Sequence, residues 1–387
     1  MMGSRPFITR PVLLAALLTW LLLFQRLLSF GGGSCGKACT RRVLARATQQ
    51  LRDLSGKREG NSSTAALTVS VLDVHATRPY KLATCSGGGC ACDICGFVAA
   101  NGVFAPVESR IFEWVLSSPD CDGTKAVVDV GANVGTFTLL AATYDCVPKV
   151  FAFEPNAAPR TLAEASIALN SLSRRVVIIP HAVGASHAAA LVDESARWGL
   201  AAVEAAPPDE EEVLRARGVG DSFTLEVPAT SAVRAASKAA PKKSGGGARM
   251  VPLSEVGELT THLLLLKIDT EGYEASVLAG TWALWDAERS VDNVVLEVKQ
   301  WNSRPKRDML RHLARTGGLT HVYTYREMYG PEGRVEQPAG LANVSLAGRF
   351  TDVSDVIRLG RYDTLLPHED FWLRKQALPA DMVGETL

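Results

Sequence analysis

Apolar and polar positions along this chain switch between two periods. Short runs at Ala126 to Val130, Val150 to Phe153, Val176 to Pro180, Leu263 to Ile268 and Val294 to Val298 are apolar almost throughout. That is the pattern of strands covered on both faces. Between and on either side of them lie stretches with apolar residues at helical spacing: Val107 to Leu116, a segment from Gly135, Ala158 to Asn170, Ala275 to Leu284 and Lys306 to Thr316. Strands alternating with helices predict an α/β fold on a largely parallel sheet. Strands at His321 to Tyr325 and Val353 to Arg358 would complete it, and Phe371-Trp372-Leu373 is expected to dock on the body.

One strand-turn-helix unit carries chemistry. Val127 to Thr136 reads VVDVGANVGT: a β-branched run ends on Asp129, and the chain turns through Gly131 and Gly135 into the apolar Phe137 to Ala142. Glycine suits a turn that a ligand must approach closely, and the opening helix offers unpaired N–H groups. A second strand, Phe151 to Phe153, runs into Glu154, at the spacing where a carboxylate reaches ribose hydroxyls. The unit therefore reads as a nucleoside-binding βαβ element. The G-x-G-x-x-G pattern is missing, which argues against a nicotinamide dinucleotide. Asp129 also reads as a strand-end cap, and Glu154 as a solvated acid at a helix start.

A second constellation follows Leu263 to Ile268, where the chain continues Asp269-Thr270-Glu271-Gly272-Tyr273-Glu274. Alternation along a strand puts Lys267 and Asp269 on one side. Glu297 ends the neighbouring run. Asp269 and Glu297 could share a cation, but no histidine or dense acid cluster completes a coordination set, so no metal ligand is assigned and metal dependence is not visible in the sequence.

Three blocks, VVDVGANVGTFTLLAA with FAFEPN, then IIPHAVGA, then LLKIDTEGYEASVLAG with VVLEV, resemble the FkbM family of S-adenosylmethionine-dependent methyltransferases. The likeness spans about Phe104 to Trp301, with a weaker continuation to Tyr325. It implies a Rossmann-like class I methyltransferase fold, a seven-stranded mostly parallel sheet with helices on both faces and the cofactor over the carboxyl ends of the first strands. It implies S-adenosylmethionine as cofactor, with Asp129, Gly131, Asn133 and Gly135 around its methionine and ribose, Glu154 on the ribose hydroxyls, and His181 and Ala182 beside adenine. Methyl transfer to oxygen needs in-line alignment and removal of one proton. Asp269 is the expected base or acceptor-orienting group, with Lys267, Glu271 and Glu297 as further candidates; each also reads as a cap or salt bridge. The acceptor expected from the resemblance is a hydroxyl on a sugar, glycan or polyol-like molecule. A non-catalytic cofactor-binding scaffold and a nicotinamide-dependent oxidoreductase are the alternatives.

Composition changes this picture mainly at the N-terminus. Over 387 residues Lys plus Arg equals Asp plus Glu at 41 each, so no global basic field points to nucleic acid. The first acidic residue is nevertheless Asp53, and Pro11 to Phe30 is a hydrophobic stretch behind two arginines. Residues 1–30 read as a cleaved signal peptide or a signal-anchor helix, which would put the protein in the secretory pathway, attached to its membrane if uncleaved; organelle import is the alternative. A stem at 31–84 and a Cys-rich loop at 85–103 then lead into a methyltransferase domain at 104–325. That domain carries a low-complexity insertion at 188–250 with one strand at Phe223 to Val227, and 326–387 is an extension completing the sheet. Sequons at Asn61 and Asn343 suit a lumenal protein. Cys85 to Cys95 (CSGGGCACDIC) reads as disulfides, a zinc site or free thiols, although it lacks the long loop that separates the usual zinc pairs. Cys121 and Cys146 flank the glycine turn and are candidates to pair.

Overall fold

The fold is seen in a computed structural model that describes residues 35–56, 67–88, 90–192, 203–205, 248–256, 259, 262–285, 290–299, 304–325 and 368–377. The hydrophobic N-terminal segment, both sequons and the strands expected at Phe223 to Val227 and Val353 to Arg358 lie outside the described residues. Among the described residues no helix is long and apolar enough to cross a membrane.

The central sheet is built from β3 (Ala126–Val130), β4 (Val150–Phe153), β5 (Val176–Ile179), β10 (Leu263–Ile268), β11 (Val291–Lys299), β12 (His321–Tyr325) and β13 (His368–Arg374), in the order β12-β13-β11-β10-β3-β4-β5. From β11 through β5 every neighbouring pair is parallel, and only β13 runs against its neighbours. The order reverses between β3 and β10, so the crevice outside their carboxyl ends is the natural ligand position. Alternation along these strands divides the core in two. Val127, Leu265 and Val295 face one apolar layer, whereas Val128, Leu266 and Val294 face the other.

The flanking helices follow the pattern closely: α3 (Pro106–Ser117), α4 (Thr136–Ala142), α5 (Ala157–Leu169), α6 (Glu274–Ala279) and α7 (Arg304–Gly317). Asn156 starts α5 by accepting the Ala158 N–H, the expected work of an N-cap. The helix expected at Ala275 to Leu284 is instead broken after Ala279, and a 3₁₀ turn follows at Trp282–Trp285. Gly280 explains the break. A side chain there would run into the Gly184 carbonyl and the Cα of Pro252, so the backbone passes too close for a longer helix to be packed in register.

Three expectations are corrected. The closing strand of the sheet is His368–Arg374, with the Phe371-Trp372-Leu373 run inside it, rather than a docked tail. Trp372 is fully buried and its Nε1 donates to Asn293 Oδ1, 3.1 Å away, while Asn293 Nδ2 donates to the Leu264 carbonyl. The expected stem contains α1 (Lys37–Gly56) and a hairpin of β1 (Thr68–Val74) and β2 (Tyr80–Ser86), and both pack on α5. The borders of the expected low-complexity insertion are ordered: β6 (His181–Val183), β7 (Ala188–Val192), β8 (Val203–Ala205) and β9 (Ala248–Val251) make a second sheet in the order β6-β9-β7-β8.

The hairpin is held by side chains that complete its free edge. Asn170 accepts the Lys81 N–H at 2.8 Å and donates to the Lys81 carbonyl, and Ser166 accepts the Ala83 N–H at 2.8 Å. The Tyr80 hydroxyl donates to the Thr136 carbonyl at the start of α4, so the hairpin also braces the glycine turn. Asn170→Ala removes both contacts to Lys81 and should destabilise the fold by about 2 kcal/mol, read by urea unfolding.

All eight cysteines pair: Cys35–Cys39, Cys85–Cys90, Cys92–Cys95 and Cys121–Cys146. The last joins the loop before β3 to the loop before β4, at the end of the sheet opposite the crevice.

Candidate cofactor and acceptor cleft

A cleft of about 660 Å³ opens over the carboxyl ends of β3, β4, β10 and β11. Its first wall is the glycine turn. Gly131 has φ 81° and lies so near the end of β10 that an added Cβ would strike the Asp269 carbonyl oxygen. Glycine is thus required by the meeting of two strands, not only by a ligand. Asn133 is left-handed at φ 52°, and its N–H donates to Glu154 Oε2 at 2.8 Å. The other oxygen of Glu154 accepts the Asn156 N–H at 2.7 Å. Burial pushes the Glu154 carboxyl up to about 7, with these two N–H donors pulling the other way. Gly131, Asn133, Glu154, His181 and Ala182 all line the cleft.

Two residues expected around the cofactor lie elsewhere. Gly135 has φ 86° and faces Ala163, which a Cβ would approach to 3.2 Å; it lets α4 pack on α5. Asp129 is 1% exposed and sits beneath the cleft. Its Oδ2 accepts the Thr138 hydroxyl at 2.6 Å, and its Oδ1 lies 3.7 Å from Lys267 Nζ. The reason is register. Lys267 stands directly opposite Asp129 across the β3–β10 pair, so the two side chains meet on one face of the sheet.

Lys267 is 2% exposed and also donates to Asp269 Oδ2, 3.2 Å away, with its ammonium 5.1 Å from the centre of the Phe137 ring. Burial works to lower its pKa, but the Asp269 and Asp129 carboxylates outweigh it and hold the ammonium above its ordinary value. Asp269, Glu271 and Glu297 converge, each offering a carboxylate oxygen within 4.8 Å of the others. The pair that sequence placed near one another thus gains a third acid, and the three are close enough to share a proton or a cation. Burial, then the neighbouring charge and hydrogen bond of Asp269, push Glu297 up to about 9. The turn that presents them is internally braced: Glu271 is left-handed at φ 57°, and the buried Glu274 accepts the Gly272 N–H at 2.6 Å.

The sign of the Glu297 shift makes a prediction. A carboxyl whose folded value lies above its ordinary 4.5 favours the fold below that value and erodes it as pH rises towards about 9. Glu297→Gln removes this loss. Its melting temperature should gain on the wild type steadily from about pH 5 to about pH 9.

Sequence reading missed the third wall. Helix α2 (Asp93–Asn101) grows out of the Cys-rich segment and contributes Cys92, Ile94 and Phe97 to the cleft, followed by Phe104. Phe97, Phe104 and Phe137 pack in series, with ring centres 6.2 and 6.0 Å apart. The signal was available in DICGFVAAN, an acid in the first turn followed by an apolar run, but the density of cysteines and glycines masked it.

Residues 129–326 match the methyltransferase FkbM domain. No curated protein matches the chain. Among solved structures, the chain is similar to precorrin-6y C5,15-methyltransferase from Geobacter metallireducens, at 11% identity and a TM-score of 0.31, over 70% of this chain and 88% of that one. It is similar also to a SAM-dependent methyltransferase from Agrobacterium tumefaciens, at 9% identity and a TM-score of 0.35, over 82% and 72%. A third similarity is to a SAM-dependent O-methyltransferase from Thermotoga maritima, at 12% identity and a TM-score of 0.29, over 70% and 66%.

Proposed function

This chain belongs to the FkbM methyltransferase family, whose methyl donor is S-adenosylmethionine, and from that premise we propose that it methylates a hydroxyl of a sugar, glycan or polyol-like acceptor. Membership sets aside the nicotinamide reading. The observation that carries the acceptor proposal is the juxtaposition, in one cleft, of a carboxyl pair and an aromatic wall. Apolar ring faces suit the C–H face of a sugar, and a few convergent polar groups orient its hydroxyls.

The residues fit the donor. The Nδ2 of Asn156 is buried and has no hydrogen-bond partner among the described residues, and Asn156 lines the cleft beside Glu154. Gly131, Asn133, Glu154 and Asn156 would hold the nucleoside, with His181 and Ala182 at the adenine end. When bound, S-adenosylmethionine supplies a methyl carbon activated by its sulfonium.

The chain's own task is to hold the acceptor and take one proton. Asp269 accepts a hydrogen bond from Lys267, while burial and then the charge and hydrogen bond of Asp269 push Glu297 up to about 9, so that Glu297 carries a proton at neutral pH. An acceptor hydroxyl that reaches Asp269 has a base for its proton, and Glu271 flanks the same opening. Asp129 and Thr138 act from beneath by fixing Lys267. Asp129→Asn should therefore lower kcat by about tenfold, with donor affinity changed much less, because a buried ammonium has lost one of its two counter-charges. Steady-state kinetics with a parallel calorimetric titration of S-adenosylmethionine separates the two effects.

The proposal is tested by incubating the protein with labelled methyl donor and mixtures of glycans and polyols. Label on a carbohydrate hydroxyl supports it. Donor binding without any labelled product favours the scaffold reading instead.

For location we propose the secretory pathway, with residues 1–30 as signal peptide or membrane anchor and organelle import as the alternative. The pairing of all eight cysteines supports an oxidising compartment. Microscopy of a C-terminally tagged full-length chain, with glycosidase digestion for Asn61 and Asn343, tests it.

A further inference from the structure

The wall that the fold adds to the cleft is also a CxxC element. Cys92 and Cys95 are bonded across the first turn of α2, a helix of nine residues, and Cys92 is its N-cap, with its Sγ accepting the Cys95 N–H at 3.2 Å. Cys92 lines the cleft and is half-buried, whereas Cys95 is buried at 7% exposure. Cys92 is thus the member of the pair that borders the cleft, and Cys95 the shielded one. The consequences of opening the bond run directly into the site. Ile94 and Phe97 lie one residue before and two residues after Cys95 and line the cleft, and Phe97 continues through Phe104 to Phe137, whose ring lies beneath the Lys267 ammonium.

We propose that Cys92–Cys95 is a thiol–disulfide exchange site through which an external dithiol loosens the aromatic wall of the cleft. This rests on the reading of that cleft as the S-adenosylmethionine site. A thiolate of the dithiol attacks Cys92 Sγ and the S–S bond breaks, with Cys95 leaving as thiolate and taking a proton. The second thiol of the reagent then attacks the mixed disulfide. It releases Cys92 as a thiolate that faces the Cys95 N–H at the helix N-terminus, a setting that favours a thiolate as leaving group. The reagent ends as a disulfide and the protein as a dithiol, so two electrons and two protons have passed to the protein. Without the cross-link, the first turn of α2 keeps its backbone bonds and the core packing of Ile94, Cys95 and Val98 but loses its covalent clamp. Ile94 and Phe97, which flank Cys95, then hold their places against Phe104 by packing alone and gain freedom to shift.

The experiment uses the full chain, treated with graded dithiothreitol, quenched by alkylation and mapped by mass spectrometry, with calorimetric titration of S-adenosylmethionine on parallel samples. Cys92 and Cys95 should be alkylated before Cys121 and Cys146, and donor affinity should weaken at least about fivefold as they open, the scale of an ordinary coupling between sites. Cys121→Ser with Cys146→Ser should respond to the dithiol as the wild type does. Cys92→Ser with Cys95→Ser should bind weakly whether or not dithiol is present. Alkylation of Cys92 and Cys95 last, or an unchanged affinity once they are reduced, overturns the proposal. If the oxidised protein binds no S-adenosylmethionine, the cofactor reading fails, while the alkylation order still decides whether the exchange site exists.

Discussion

Asp269→Asn is expected to slow methyl transfer by about 10²- to 10⁴-fold, the range that a positioned general base supplies, and to leave S-adenosylmethionine affinity within about threefold. That loss corresponds to about 3 to 5 kcal/mol of barrier. Asparagine keeps the size of the side chain and still offers an oxygen to Lys267 Nζ, so the packing of the β10 end should survive. It cannot take a proton. Lys267 would keep Asp129 as a counter-charge, and Glu297 would lose the neighbouring charge that, after burial, does most to raise it. The variant should therefore combine a collapsed kcat with Glu297 titrating lower than in the wild type. Single-turnover kinetics with labelled donor is the direct measurement; an undiminished rate would remove Asp269 from the chemistry.

Gly131→Ala should have the largest effect on the fold. At φ 81° an alanine is strained by about 1 to 3 kcal/mol, and its Cβ would meet the Asp269 backbone oxygen, which cannot swing aside as a side chain could. Overpacking of this kind adds about 1 to 3 kcal/mol. Relief requires the ends of β3 and β10 to separate, and those two ends carry the cofactor turn and Asp269. Denaturant unfolding should therefore show a loss of about 3 to 5 kcal/mol, and the residual folded protein should bind donor weakly. Gly135→Ala is the comparison. It carries the same left-handed strain at φ 86°, but its tightest contact is the Cβ of Ala163 at 3.2 Å, away from the cleft, so the difference between the two variants isolates the clash with the Asp269 backbone.

These cases show how far the chain could be read before folding. The strands from Ala126 to Val298 were legible because a strand covered on both faces must be apolar along its whole length, and the helices because their apolar stripe repeats. The strand at His368–Arg374 was not, since only Phe371, Trp372 and Leu373 are apolar in a row and Glu369, Asp370 and Arg374 frame them. Arg374 is nevertheless buried, its guanidinium lying 4.5 Å from the Trp114 ring centre, a partner far away in sequence. The helix α1 was hidden by its polar composition; among its described side chains Ala47 and Leu51 are the deeply buried ones.

By itself the sequence determined the parallel α/β architecture, the glycine turn and the acid-rich turn after β10, because local geometry and apolar patterning act within a few residues. The tertiary structure decided what those turns do to one another. Strand register set Lys267 opposite Asp129 and so drew the motif acid under the cleft instead of into it. The close passage of two backbones made Gly131 indispensable, and the docking of a disulfide-bonded segment supplied the aromatic wall. Each of these depends on distances between residues remote in sequence, and such distances exist only once the sheet has closed.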